Sequence, residues 1–242
     1  MRLKIADEFE TVRTIIRHRA SIARYGDGEL RLCLGRNQMS QPWSEGIGRR
    51  LREILIEENP MLLVGIPRIR ERNDWPRPEK GEYWARWDTP KIHQLYNPAR
   101  DYFSAFITRP DSGAGLYQPE YWMLIKSMWA GRRVTLLKGE GTGFNKRPEI
   151  FDTADGPPKV LYGPKFDAYR KHTKLMRMML AEPVDNLLVI SLGPTATVLA
   201  ADLAREGRQA LDLGHLGMFY AGIHPKYDST MANPKGIDRV AA

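Results

Sequence analysis

The sequence predicts an α/β fold: a Rossmann-like, mostly parallel sheet with helices on both faces, built as one domain that carries an inserted Trp/Arg-rich loop. Three observations lead there. Apolar runs of strand length, such as Met61–Val64 and Leu187–Ile190, alternate with longer stretches whose apolar residues recur at helical spacing. Gly-rich turns follow the strands and precede the helices, as in βα units. No apolar run approaches the ~18 residues of a membrane span.

In chain order, Leu3, Ile5, Phe9, Val12, Ile15 and Ile16 place an amphipathic helix over residues 3–20. Ser21–Tyr25 is a short strand that ends at Gly26, and Glu29–Leu34 and Glu45–Glu58 are helical. Met61–Ile66 is a buried strand stopped by Pro67. Residues 68–91 hold Arg68, Arg70, Arg72, Arg77, Arg86, Lys80 and Lys91 beside Trp75, Trp84 and Trp87, with acids interleaved, and predict a surface loop or lid. Tyr117–Ala130 is a helix and Arg133–Leu137 a strand, followed by the turn Gly139–Gly143. Lys159–Tyr162 is a short strand, Phe166–Leu180 a helix and Leu187–Leu192 a strong strand. Thr195–Glu206 is a helix ended by Gly207, and Gln209–Leu213 is a further strand. The domain is expected over 1–222, and the polar residues 223–242, with Pro225 and Pro234, form an arm.

The chain has 242 residues, 42% hydrophobic and 27% charged, with a net charge of +8. That balance excludes a disordered or collagen-like chain. The basic surplus favours an anionic partner: nucleic acid, a membrane face or a phosphorylated small molecule. The single cysteine, Cys33, excludes an intrachain disulfide and a multi-Cys zinc site, and it lacks an activating partner for nucleophilic work. The N-terminus has no apolar signal core, so a cytoplasmic protein without an integral membrane segment is expected.

In a parallel sheet, ligands sit at the carboxyl ends of the strands, so the loops there carry the candidate chemistry. Arg24-Tyr25-Gly26-Asp27-Gly28-Glu29 sets two carboxylates at i and i+2, on the same side if the segment is extended. Hard oxygens on a Gly-flanked turn suit Mg²⁺ or Mn²⁺ together with substrate phosphate oxygens, with Arg24 and Gly26 beside the same phosphates. Asp27 as a helix cap and Glu29 in the dipole of the first turn is the structural alternative. Gly193-Pro194-Thr195-Ala196-Thr197 follows a strand and opens a helix, which is the arrangement that holds an anion on free N–H groups, and Thr195 and Thr197 add hydroxyls. A plain capped βα turn is the alternative there. Asp212 and His215 stand at the end of the neighbouring strand, where His215 is a base, a phosphate contact, a metal ligand or a packing residue. Lys138, with the turn after it, and Arg109 are further anion-binding candidates.

Taken in order, these stretches resemble the GT-D-fold glycosyltransferases, a bacterial family first catalogued as a domain of unknown function. The residues that carry the resemblance are Ser21–Glu29, Phe106–Pro110, and Ser191–Ala200 running on to Ala210–His215, together spanning roughly residues 20–220. The resemblance implies a Rossmann-like enzyme that moves a sugar from a nucleoside diphosphate donor, with a UDP-sugar expected. The family's Asp-x-Glu metal motif falls on Asp27 and Glu29, which implies Mn²⁺ or Mg²⁺ there. Arg24, Gly26, Arg109, Gly193, Thr195 and Thr197 are then the donor-binding residues, and Asp212 and His215 the catalytic ones. Past Gly214-His215, where the family shows an acidic, aromatic-rich stretch, this chain reads Leu216–Gly222 without an acid. The acceptor-activating base is accordingly open among Glu149, Asp152, Asp212 and His215. The acceptor is expected to be a glycan, a glycoprotein or, given the Trp/Arg-rich 68–91 segment, a modified DNA base. The rival reading is a non-catalytic nucleotide- or nucleic-acid-binding module on the same fold.

Overall fold

The structure is a computed structural model that describes residues 3–68, 78–109, 112, 119–142, 144 and 148–220. The expected arm at 223–242, residues 69–77 of the insertion and Gly143 of the Gly-rich turn lie outside the described residues.

The strands are β1 (Lys4–Ile5), β2 (Ser21–Arg24), β3 (Leu62–Ile66), β4 (Asp101–Ser104), β5 (Val134–Gly139), β6 (Lys159–Gly163), β7 (Leu187–Ser191) and β8 (Ala210–Asp212). They form one eight-stranded sheet in the order β1-β4-β3-β2-β8-β7-β5-β6. Every neighbouring pair is parallel, with Ile22 opposite Leu63 and Leu211, and Val189 opposite Leu136 and Leu211.

The helices are α1 (Glu8–His18), α2 (Asp27–Cys33), α3 (Glu45–Ile56), α4 (Pro78–Ala85), α5 (Pro90–His93), α6 (Pro119–Ser127), α7 (His172–Leu180), α8 (Pro194–Arg205) and α9 (Leu216–Tyr220). Side chains alternate across the strands, so both sheet faces need cover. Ile22, Leu63, Leu136, Val189 and Leu211 pack on one face with Val12 and Ile15 of α1, Trp122 and Ile125 of α6, and Leu216 of α9. On the other face, Ala23 and Val64 meet Leu30 of α2, Leu51 of α3 and Val198 of α8, while Leu137 and Ile190 meet Leu175 and Met179 of α7.

Four expectations change. The opening helix starts at Glu8, capped by Asp7 accepting from the Glu10 N–H at 2.8 Å, because Lys4–Ile5 pairs with β4 as a strand. β4 itself was not expected: it is short, and one of its four residues is exposed, so its apolar signal is weak. The helix placed over Phe166–Leu180 is a 3₁₀ turn at Ala168–Lys171 running into α7. The insertion is not all surface loop. Its described part forms α4 and leads into α5, and Trp84 is 1% exposed, its ring 5.0 Å from that of Phe106.

The topology places the site. From β2 the chain moves outward through β3 to β4 on one side, and it returns through β7 and β8 to lie against the other side of β2. The carboxyl ends of β2 and β8 therefore flank the point where the two halves of the sheet meet, the usual ligand crevice of such folds.

Candidate active site

A cavity of about 570 Å³ opens at that point, lined by the segments that follow β2, β4, β5, β7 and β8. Of the residues expected to act, Arg24, Gly26, Asp27, Glu29, Arg109, Gly193, Asp212 and His215 all line it.

The acidic wall is the start of α2. Gly26 is its cap, in extended backbone, so Asp27 and Glu29 stand at the first and third helical positions rather than on an extended segment. The Glu29 carboxylate accepts the Gly26 N–H at 2.7 Å through Oε2. Burial pushes the Glu29 carboxyl up to about 7, and the neighbouring Asp212 adds to the shift, against the pull of the Gly26 N–H. Asp27 takes a hydrogen bond from the Tyr83 hydroxyl of α4, whose pKa rises to about 12 through burial first and that bond second. The cap is thus Gly26 rather than Asp27, with Glu29 in the first turn accepting its N–H, while Asp27 and Glu29 both line the cavity.

The opposite wall is the start of α8. Its cap Gly193 has φ 55 and ψ −149, a region essentially restricted to glycine, and Pro194 takes the first helical position. Gly193 and Pro194 line the cavity. Thr195 and Thr197 do not: both are fully buried, against expectation. The Thr195 hydroxyl donates to Gln41 Oε1 at 3.2 Å, and the Thr197 hydroxyl to the Arg24 carbonyl at 3.0 Å and to Asp212 Oδ2 at 3.1 Å. This wall offers main chain rather than hydroxyls.

The floor is a tie between β2 and β8. Asp212, 4% exposed, accepts from the Arg24 N–H at 3.2 Å, and its carboxyl is pushed up by burial against the pull of the Arg24 guanidinium. Arg24 Nε donates to the Asp212 carbonyl, and its Nη1 donates to the Ala105 carbonyl at 2.9 Å and to Thr108 Oγ1 at 2.7 Å. A Cβ at Gly214 would come within 2.5 Å of Arg24 Nη2, so only glycine fits there. Arg24 holds the floor in shape, and Asp212 is fully engaged within it.

His215 is exposed, next to α9. The Arg109 guanidinium lies 5.2 Å from the centre of the Phe219 ring. Glu149 and Asp152 lie outside the cavity lining; Asp152 holds Lys126 Nζ at 2.6 Å. Among the four candidate bases, His215 is therefore the accessible one at the cavity.

Sequence reasoning missed part of the lining. Trp84 and Phe106 form an aromatic flank, and Gln38, Met39 and Ser40 reach the cavity from the connection between α2 and α3. That connection carries no periodic pattern and follows a helix, not a strand, so nothing in the sequence marked it.

Among the described residues no group of three or more His, Cys, Asp or Glu is arranged as a metal cage. The same residues contain no helix long and apolar enough to cross a membrane.

Comparison with known proteins agrees with this geometry. A solved structure described as domain of unknown function 1792 with a distinct glycosyltransferase fold superimposes with a TM-score of 0.83 at 26% identity, over 97% of this chain and 90% of the other. A glycosyltransferase of the same kind from Streptococcus sanguinis gives 0.82 at 27% identity, over 94% and 88%. Among curated proteins, the glycosyltransferase GlyD of Streptococcus pneumoniae serotype 4 is 27% identical over 224 residues, 87% of this chain and 26% of its own length. A protein of Streptococcus gordonii named as a probable glycosyl transferase is 28% identical over 207 residues, 83% of this chain and 30% of its own length. The chain thus spans less than a third of the curated relatives it matches. The profile of the glycosyltransferase GT-D fold matches residues 22–230, and with the shared sheet and cleft this places the chain in the GT-D fold family.

Proposed function

We propose that this protein transfers a sugar from a nucleoside diphosphate sugar, a UDP-sugar in the first instance, to an acceptor hydroxyl. The observation that carries the reading is the single cavity onto which both the Asp27/Glu29 wall and the Gly193-Pro194 wall open. The diphosphate lies between them. In the reaction the acceptor oxygen bonds to the anomeric carbon, the bond from that carbon to the phosphate oxygen breaks, and its electron pair leaves on the diphosphate. The acceptor proton passes to His215. The Gly193 N–H and the positive end of the α8 dipole receive the growing charge.

Asp27 and Glu29 fit a divalent ion of the Mg²⁺ or Mn²⁺ kind. Three carboxyls, Asp27, Glu29 and Asp212, line one cavity; burial first and Asp212 second hold the Glu29 carboxyl up, and a cation beside it would favour its charged form. Two carboxylates are what Mg²⁺ sites typically supply, the remaining positions going to water and substrate phosphates. When bound, the ion supplies Lewis-acid stabilisation of the departing diphosphate.

Release of UDP from a panel of UDP-sugars by the purified chain with Mn²⁺ tests the reading; no turnover of any donor, with or without acceptor, overturns it. His215→Ala lowers kcat roughly 10²-fold or more while UDP affinity stays unchanged; a loss of affinity instead makes His215 a binding residue. The acceptor is a glycan or glycoprotein, and the net charge of +8 keeps DNA as the second candidate. A filter-binding assay separates them, since DNA binding falls steeply with salt. A non-catalytic nucleotide-binding module is the second reading, favoured by the full engagement of Asp212 in the floor. UDP binding without donor turnover is its signature.

A further inference from the structure

The turn Gln38–Gln41 is built more firmly than a connecting loop requires. Gln38 and Gln41 exchange both backbone N–H bonds at 3.1 Å. The Gln41 side chain, 2% exposed, accepts from Thr195 and from the Tyr169 N–H, both at 3.2 Å, and donates to Asp167 Oδ1 at 2.7 Å. The Asp167 N–H donates to the Ser40 carbonyl at 2.9 Å. The turn is thereby pinned to the first turn of α8 and to the segment before α7.

Its contacts span both walls of the cavity. Ser40 Oγ lies 3.0 Å from where a Cβ of Gly193 would stand. The Gln38 side chain lies on Gly28, with Cγ 2.9 Å and Nε2 3.5 Å from where a Cβ would stand. Gln38 therefore leaves no room for a side chain at Gly28, the residue between Asp27 and Glu29 in the sequence, and all four residues line the cavity. The amide has a defined orientation as well. Gln38 Oε1 accepts from the Ser40 N–H at 2.6 Å and the Ser40 hydroxyl at 2.8 Å, so the oxygen faces Ser40 and the NH₂ group faces the other way.

We propose that the Gln38 side-chain amide is a donor-binding group that gives its N–H bonds to the diphosphate lying between the α2 and α8 walls. The inference rests on the glycosyl-transfer reading and adds a residue to it. A neutral NH₂ in this place has a clear purpose: it offers protons to phosphate oxygens between two carboxylates that would repel them. Ser40 is the positioning residue that fixes which way the amide points.

The test is calorimetric titration of the full chain with Mn²⁺ alone, with inorganic pyrophosphate plus Mn²⁺, and with UDP plus Mn²⁺. Gln38→Glu keeps an acceptor for both Ser40 bonds but replaces the NH₂ group with an oxygen; Gln38→Met removes both. We expect each variant to bind pyrophosphate and UDP about tenfold more weakly or worse, the Glu variant losing more, with the melting temperature of Gln38→Glu unchanged. Ser40→Ala removes the hydroxyl bond but keeps the backbone N–H bond to Gln38 Oε1, and loses about two- to threefold or less. If Gln38→Glu binds pyrophosphate as tightly as the parent, the amide merely locks the turn and the inference is overturned, while glycosyl transfer stands. If the parent chain binds neither pyrophosphate nor UDP, glycosyl transfer itself is overturned and this inference falls with it.

Discussion

The starts of α2 and α8 open on one cavity and handle charge by opposite means. At α2 the sequence supplies charged side chains, Asp27 and Glu29, and the backbone N–H of Gly26 is already taken by Glu29. At α8 the side-chain hydroxyls are turned into the core, and the wall is formed by Gly193 and Pro194. On the proposed reading the first wall takes a cation and the second an anion, the two parts of a metal diphosphate. The difference also shows where each wall is vulnerable: one to loss of a functional group, the other to a change of backbone.

The contrast is broken most severely at α2. Asp27→Ala or Glu29→Ala is expected to reduce donor turnover by roughly 10³-fold and to abolish Mn²⁺-dependent UDP binding, with circular dichroism unchanged; activity retained in both variants ends the metal assignment. At α8 the corresponding lesion is Gly193→Ala. A φ of 55 with ψ −149, and Ser40 Oγ 3.0 Å from the added carbon, make it a stability lesion of roughly 1–3 kcal/mol, read as a lower melting temperature.

The two walls also differ in titration. In metal-free protein Glu29 keeps its proton to about 7 when folded, against 4.5 in the reference state. The folded state then holds a proton that the unfolded chain has released, so the Glu29 contribution to stability is full below about 4.5 and is lost as pH rises through about 7. The loss is on the order of 3 kcal/mol, and Glu29→Gln flattens it; an unchanged pH slope in that variant assigns the effect elsewhere. The smallest effect is Thr195→Val. It removes the hydrogen bond to Gln41 and costs about 1 kcal/mol, and UDP affinity should hold within about twofold. A larger loss of affinity would place that hydroxyl on the ligand after all.

What the sequence disclosed follows the same division. Leu187–Ile190 is apolar on both faces, so β7 and the helix after it could be read directly. The acids of α2 were legible because carboxylates beside glycines are conspicuous. The direction of Thr195 and Thr197 was not, since it depends on how α8 is rotated against Asp212 and Gln41, residues far away in the chain. Gln38 was invisible for a related reason: its significance comes from the missing Cβ of Gly28, a contact with no local pattern. Trp84 shows the limit of composition, because a segment rich in arginine and proline still places a tryptophan in a small core with Phe106.

Arg24 draws together partners 81, 84 and 188 positions further along the chain. During synthesis, no nascent chain that ends short of β8 can close the floor of the cleft. On the proposed reading, nucleotide capture by a growing or truncated polypeptide reports that β8 has joined the sheet, and a helix-rich intermediate lacking β8 stays silent however compact it becomes.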